Sequence, residues 1–267
     1  MSTQPTLFIP HGAGPCFFME PSARWPAGTW DKLETYLRGV VSNLPERPKA
    51  ILVISGHWEA PVFTVTAAEQ PPLLFDYYGF PENTYRLSFP APGAPKLAAR
   101  VRELLGTAGI ATAEEFERGY DHGVFVPLLL ATPEADIPVV QLSLKDGLDP
   151  VEHLAAGKAL APLRDEGVLI IGSGYSWHNT IGFKPEYKDY SVEFDRWLQN
   201  VATDPATRDT AVSNWEKAPH ARDAHPREEH LAPMFVIAGA AAGDPGSVPY
   251  HDDRRVSISG LAFGQTA

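Results

Sequence analysis

The chain has a single cysteine, Cys16, among 267 residues, so no disulfide can form within it and a reducing compartment is the expected setting. Cys16 reads as a small buried filler rather than a nucleophile. No apolar run approaches the roughly 20 residues of a spanning helix. The opening "MSTQPTLFIP" lacks the basic and apolar regions of a secretory signal. Basic residues are scarce: 22 Lys and Arg against 33 Asp and Glu give a net charge of −11. A surface of that sign releases no phosphate counterions, which argues against nucleic acid and anionic membranes as partners. Neither GxGxxG nor the P-loop pattern occurs, so nucleotide binding has no support. "GSGYS" at 172–176 departs from the GxSxG nucleophile elbow. CxxC, HExxH and HxH spacings are missing, as are repeats and low-complexity segments, and the 26 prolines are scattered between elements. What these absences leave is a cytoplasmic globular protein; an assembly of identical copies is compatible with the composition.

What is present is an alternation. Strand-like runs lie at 6–10, 49–55, 62–67, 137–144, 168–173 and 256–264. Helical patterns lie at 29–44, 94–109, 123–132, 150–167, 191–203 and 230–242. Several strand runs are continuously apolar and bounded by Gly or Pro, as in strands covered on both faces. The expectation is an α/β fold: one domain over 1–267, with a mostly parallel or mixed central sheet and helices on both faces. In such sheets ligands bind beyond the carboxyl ends of the strands. His11, His57 and the segment after Ile171 fall at that edge.

Nine histidines are present. His153, in the charged helix "PVEHLAAGK", and His251, in "PYHDDRR", read as surface residues. His220 and His225, in "PHARDAHPREEH", read as loop residues. The other five each adjoin a structural break. His11 stands between Pro10 and Gly12, His57 follows Ser55-Gly56, and His122 lies in "RGYDHGVFVPL". His178 lies in "IGSGYSWHNT", and His230 opens "HLAPMFVIAGA". Any one alone is most simply a hydrogen-bonded core residue. Five at the mouth of one sheet raise the prospect of a metal centre, because neutral imidazole is a common ligand of Fe and Zn.

The segments "FIPHGAGPCFFM", "SGHWE", "DYYGFPENTYRLSFPAPGAPKLA", "RGYDHGVFVPL", "IGSGYSWHN" and "AHPREEHLAPMFVIAGAA" occur in that order. This pattern resembles the class III extradiol ring-cleavage dioxygenases, specifically the DOPA-4,5-dioxygenase-like branch of the LigB superfamily, over nearly the whole chain. The resemblance implies an Fe(II)-dependent enzyme that opens a catechol beside its diol with O2, giving a muconic semialdehyde-type product. It implies metal ligands at His11, His57 and His230. In protocatechuate-cleaving relatives the last ligand is a glutamate; here the matching position is a histidine, with the adjacent Glu229 as the alternative. An all-histidine set also suits Zn(II).

The resemblance assigns acid and base work to His122 and His178, with His178 as the base that takes the catechol proton and His122 as the acid, or the reverse. Imidazole suits both roles near pH 7. Tyr120, Trp177, Asn179 and Tyr78 are the expected substrate contacts. Tyr77 and Phe80 read either as pocket wall or as core, and Arg86 as a partner for a substrate carboxylate. Asp121 either orients an imidazole or caps the following helix. Two rival readings share the scaffold, a zinc hydrolase and a non-catalytic binding protein.

Overall fold

The structure is a computed structural model that describes residues 3–179 and 185–264. Among the described residues the strands are β1 (Thr6–Pro10), β2 (Ala50–Ala60), β3 (Phe63–Thr66), β4 (Thr112–Glu115), β5 (Val139–Lys145), β6 (Val168–Gly174), β7 (Gly246–Asp252) and β8 (Ile258–Phe263). They form one sheet in the order β4-β3-β5-β2-β6-β1-β8-β7. The central strands β5, β2, β6 and β1 run parallel, while β8 lies antiparallel to β1 and β7. The helices are α1 (Asp31–Ser42), α2 (Pro95–Thr107), α3 (His122–Ala131), α4 (Pro150–Leu160), α5 (Lys188–Thr203), α6 (Arg208–Ser213), α7 (Ala221–Ala224) and α8 (Ala232–Ala240). The sheet is mixed, with helices on both sides.

Residue alternation explains the layering. Leu7, Ile9, Ile51, Val53, Leu169 and Ile171 point to one face and pack with Leu33 and Leu37 of α1 and Phe125 of α3. Phe8, Leu52, Ile54 and Ile170 point to the other, against Leu154 of α4, Phe194 of α5 and Phe235 of α8. Successive side chains of a strand leave on opposite sides, so an apolar run with no polar alternation is stable only when both faces are covered. Helix α8 is apolar all round and wholly buried. It lies between the sheet and α4, and water reaches none of its faces.

Some boundaries differ from the sequence expectation. The run at 49–55 continues as a strand to Ala60, beyond its histidine. The helix at 150–167 ends at Leu160 and tightens into a 3-10 turn at Ala161–Arg164; Pro162 cannot donate the next helical hydrogen bond. Strands β4 and β7 carry no strong pattern because both lie at sheet edges, where charge and Pro249 are tolerated. His153 is a correction: it is buried, not a surface residue. Its Nδ1–H donates to the Asp149 carbonyl at 2.7 Å, and its Nε2 accepts the Lys145 N–H at 3.2 Å, tying β5 to α4. His251 is half-buried, with Nδ1 3.2 Å from Asp195.

The C-terminal end of α8 is held by a buried cation. The Arg164 guanidinium donates to the carbonyls of Ala240 and Ala241 at 3.1 Å each and to Gln4 at 2.8 Å, and pairs with Asp244. The Ala240 and Ala241 carbonyls belong to the helix end, where no intrahelical donor exists, and Ala241 also accepts the Asp244 N–H at 2.9 Å. Replacing Arg164 by Met keeps the stem but removes the donor to Ala240 and Gln4 and one of the two to Ala241. The expected loss is about 2–4 kcal/mol, read as a lower urea midpoint with an unchanged m-value; an unchanged midpoint would show that the carbonyls find other partners.

Candidate metal centre

Parallel register brings the site together before any loop is considered. Pro10 pairs with Gly174, and Ser55 pairs with Ser173. The residues that follow β1 and β6, and the second half of β2, therefore emerge at one sheet edge. His11 is the first residue after β1. His57 sits inside β2, where the pairing with β5 jumps from Ile54–Leu142 to Glu59–Leu144. This bulge takes the backbone of His57 out of the ladder, so its polar groups need other partners. They find side chains: its N–H donates to Ser55 Oγ at 3.2 Å, and its carbonyl accepts from Arg118 at 3.1 Å. Ser55 and Arg118 are in turn anchored on the buried carboxylate of Asp121 at 2.8 and 3.3 Å. Asp121 thus stands at the start of α3 without capping it by side chain, and it holds the bulge rather than an imidazole. Burial first, and then the nearby Asp76, push its carboxyl above the ordinary range.

His230 arrives from the opposite direction, ahead of α8, whose first turn contains Pro233. Two glycines admit its backbone against the sheet. A Cβ at Gly174 would lie 2.1 Å from the His230 carbonyl oxygen, and one at Gly56 would lie 2.9 Å from that of Glu229. The Tyr175 N–H donates to the His230 carbonyl at 3.0 Å and locks this approach.

The three rings meet nitrogen to nitrogen. His57 Nε2 lies 3.1 Å from His11 Nε2 and 3.2 Å from His230 Nε2. Proton accounting shows what these contacts are. The Ser173 hydroxyl spends its only proton on the Gly123 carbonyl, so at 3.0 Å it can only accept from His11 Nδ1. The Glu229 carboxylate likewise accepts from His230 Nδ1 at 2.9 Å. Both rings are therefore Nδ1–H tautomers with bare Nε2 lone pairs. His57 can donate from Nε2 to at most one of them, so at least one lone pair faces another nitrogen unsatisfied. A cation resolves this conflict. Two nitrogens about 2.1 Å from one ion, at octahedral to tetrahedral angles, stand about 3.0–3.4 Å apart, and the observed spacings fall in that interval.

Electrostatics point the same way. Burial, and then the neighbouring imidazoles, hold His11 and His230 well below the ordinary imidazole value. His57 is pushed down to about 3 by burial and by His122, with Asp76 and Glu229 opposing. All three are neutral at pH 7, the form that binds metals.

Two further histidines flank the trio. The His122 ring lies against His57 with centroids 3.9 Å apart, and His178 stacks on His230 at 3.4 Å. Each has a carboxylate at Nδ1: Asp76 at 2.8 Å from His122, and Glu229 at 3.2 Å from His178. Burial alone would raise both carboxyls. Hydrogen bonding and charge, from His122 on Asp76 and from His178 on Glu229, reverse this and leave both below the usual carboxylate range. Glu229 occupies the Nδ1 side of His230, away from the Nε2 trio.

The expected substrate contacts fare unevenly. Tyr120 is wholly buried, and its hydroxyl donates to the Val139 carbonyl at 2.7 Å. Trp177 is fully enclosed in the core. Asn179 is half-buried and donates to the Asp223 carbonyl at 2.9 Å. Tyr78 is 88% exposed, while its neighbour Tyr77 turns inward and meets His122 edge-on at 5.8 Å. Phe80 packs over Gly14. Arg86 is exposed and paired with Glu82. His225 is buried, donating from Nε2 to the Ser176 carbonyl at 3.0 Å, and His220 stacks on Tyr190 at 3.9 Å. Asp76, Ser173 and Arg118 escaped sequence reasoning. Asp76 carried one signal, as the acid that opens "DYYGFPENTY".

A mixed α/β sheet whose carboxyl edge gathers three imidazole Nε2 atoms, at least two of them bare, between two carboxylate-held imidazoles defines a metal-dependent α/β enzyme. The family described as "Catalytic LigB subunit of aromatic ring-opening dioxygenase" matches residues 5–260, and the chain belongs to this family as an extradiol ring-opening dioxygenase. A 4,5-DOPA dioxygenase extradiol of Beta vulgaris is 41% identical over 241 residues, covering 88% of this chain and 86% of that protein. One of Escherichia coli (strain K12) is 33% identical over 264 residues, covering 97% and 93%. The crystal structure of an uncharacterized protein from Escherichia coli K12 superposes with a TM-score of 0.76 at 28% identity, covering 98% of this chain and 100% of that one.

Proposed function

We propose that this chain is an Fe(II)-dependent dioxygenase that opens a small catechol beside its diol, consuming O2 and yielding a muconic semialdehyde-type product, with residues 1–267 acting as one catalytic domain. His11, His57 and His230 are the metal ligands in this reading. The observation that carries it is the trio of Nε2 atoms, two of them necessarily bare, bordered by two imidazoles that take no part in the trio. Bound Fe(II) would gather diol and dioxygen and supply the electron transfer between them.

The remaining work is proton handling by this chain's own residues. A catechol is a weak acid and must lose a proton to bind as an anion. His178 takes that proton, and Glu229 on its Nδ1 offsets the charge that forms. His122, on the other flank beside His57, handles the proton that ring opening returns to oxygen. A non-catalytic binding protein needs neither of these groups.

The test is anaerobic loading with Fe(II), then addition of catechol and O2. A yellow product with equimolar O2 uptake is expected. Replacing His178 by Ala should lower kcat about 10²–10⁴-fold, the usual range for a general base, while catechol still binds. Absence of O2 uptake with any catechol on Fe-loaded protein would reject the reading. Turnover under nitrogen by Zn-loaded protein would favour a hydrolase instead.

A further inference from the structure

We propose that Asp76 is a positioning residue for the reaction: its carboxylate fixes the ring orientation and the tautomer of His122, leaving Nε2 as the nitrogen that exchanges protons with substrate. This inference rests on the reading of His122 as an acid–base group.

The geometry is specific. One oxygen of Asp76, Oδ1, accepts both the backbone N–H of His122 at 3.0 Å and its ring Nδ1 at 2.8 Å. An oxygen already placed to accept the backbone N–H accepts from the ring as well, so Nδ1 carries the proton and Nε2 carries the lone pair. Nε2 has no hydrogen-bond partner among the described residues. The backbone contact matters as much as the ring contact. It ties the carboxylate to the first residue of α3, so the acceptor and the ring it orients share one rigid frame.

The second oxygen, Oδ2, lies 3.8 Å from His57 Nδ1. One carboxylate therefore faces both a ring of the Nε2 trio and the flanking ring, whose centroids are 3.9 Å apart. Without that anchor the His122 ring, which offers a nitrogen within 4.8 Å of nitrogens of His11 and His57, would be free to turn and exchange tautomers. Asp76 itself is held in place by the chain around it: Tyr77 donates to the Thr84 carbonyl at 2.7 Å and packs against Phe125 of α3.

Asparagine and alanine separate the roles. An Asp76→Asn side chain keeps an oxygen able to accept both N–H groups; Asp76→Ala keeps none. Two-bond 15N–1H correlation spectra of 15N-histidine-labelled, Zn(II)-loaded full-length protein read the tautomer directly, with the His122 signals assigned from a His122→Gln variant. The Nδ1–H form is expected for the native protein and Asp76→Asn, and a mixture or the Nε2–H form for Asp76→Ala. In the Fe(II)-loaded enzyme, Asp76→Ala should lower kcat about 10²-fold with KM for catechol changed less than about threefold and metal content unchanged. Asp76→Asn should recover much of that loss. A native His122 in the Nε2–H form, or a folded Asp76→Ala protein that keeps the Nδ1–H form and full kcat, would overturn the assignment. The spectra give their answer even if no catechol is turned over, so failure of this inference and failure of the proposed reaction are distinguishable.

Discussion

Replacing His57 by Ala should abolish both metal retention and ring opening. His57 is the middle member of the trio, the ring whose Nε2 approaches both others. Its loss leaves His11 and His230 without the nitrogen that bridges them. Substitution of residues that merely orient a metal ligand typically costs 10–100-fold in affinity. Removal of a ligand should exceed this, and a drop of at least about 10³-fold in kcat/KM corresponds to about 4 kcal/mol. Metal analysis of the purified variant and O2 uptake on the Fe-loaded protein check it together. His251→Ala is the matched control, since His251 lies on the outermost strand β7, two strands across from β1, with its ring against Asp195 rather than the trio. Stability should move in a direction a simple truncation would not predict. In the native protein metal binding should raise Tm, because it favours the folded state by mass action and relieves the opposed lone pairs. In His57→Ala that increment should shrink or vanish. A variant that keeps stoichiometric metal and native turnover would remove His57 from the ligand set.

Gly174→Ala should be nearly as damaging, although it alters no chemical group. The added methyl would sit 2.1 Å from the His230 carbonyl oxygen, 3.1 Å from its carbon and 3.0 Å from the Phe8 ring. Carbon atoms pack comfortably at about 3.5–4.0 Å, so the backbone entering α8 must retreat by about 1 Å or more. Side-chain rotation cannot relieve a clash with a carbonyl. The retreat stretches the Tyr175–His230 hydrogen bond and carries the His230 ring away from His57. A cost of about 1–3 kcal/mol in stability is expected from overpacking, together with weakened metal binding that excess Fe(II) restores only in part. Gly79→Ala provides the contrast. Gly79 has φ of +73° but nothing within 4 Å of its Cβ position, so it should lose about 1 kcal/mol through strain and keep its metal. Equal metal affinity in the two variants would show that the close approach at Gly174 does not position His230.

How much of this was legible beforehand depends on the kind of interaction. The runs at 6–10, 49–55 and 168–173 announced buried strands because both of their faces are apolar, and burial on two sides leaves a periodicity signal that needs no partner to be read. The edge strands β4 and β7 left none, since a half-covered strand tolerates Glu115 or Pro249. Five histidines beside glycine and proline breaks indicated a site, and the order of motifs pointed to its family. Tyr120, two residues before His122, and Trp177, next to His178, read as pocket residues for that proximity alone. In the fold each is sealed in the core.

The sequence by itself determined the six inner strands and the six longest helices, the edge at which His11 and His57 emerge, and the family, because each rests on local periodicity or on an ordered string of motifs. Only the tertiary structure decided that β2 bulges at His57, that Asp121 braces that bulge, and that Asp76 and Glu229 accept hydrogen bonds at the Nδ1 atoms of the histidines beside them. Those outcomes depend on which donor meets which acceptor across segments such as 76 and 122, or 57 and 118. A hydrogen bond of that kind is set by distances of a few tenths of an ångström, and no residue spacing along the chain encodes them.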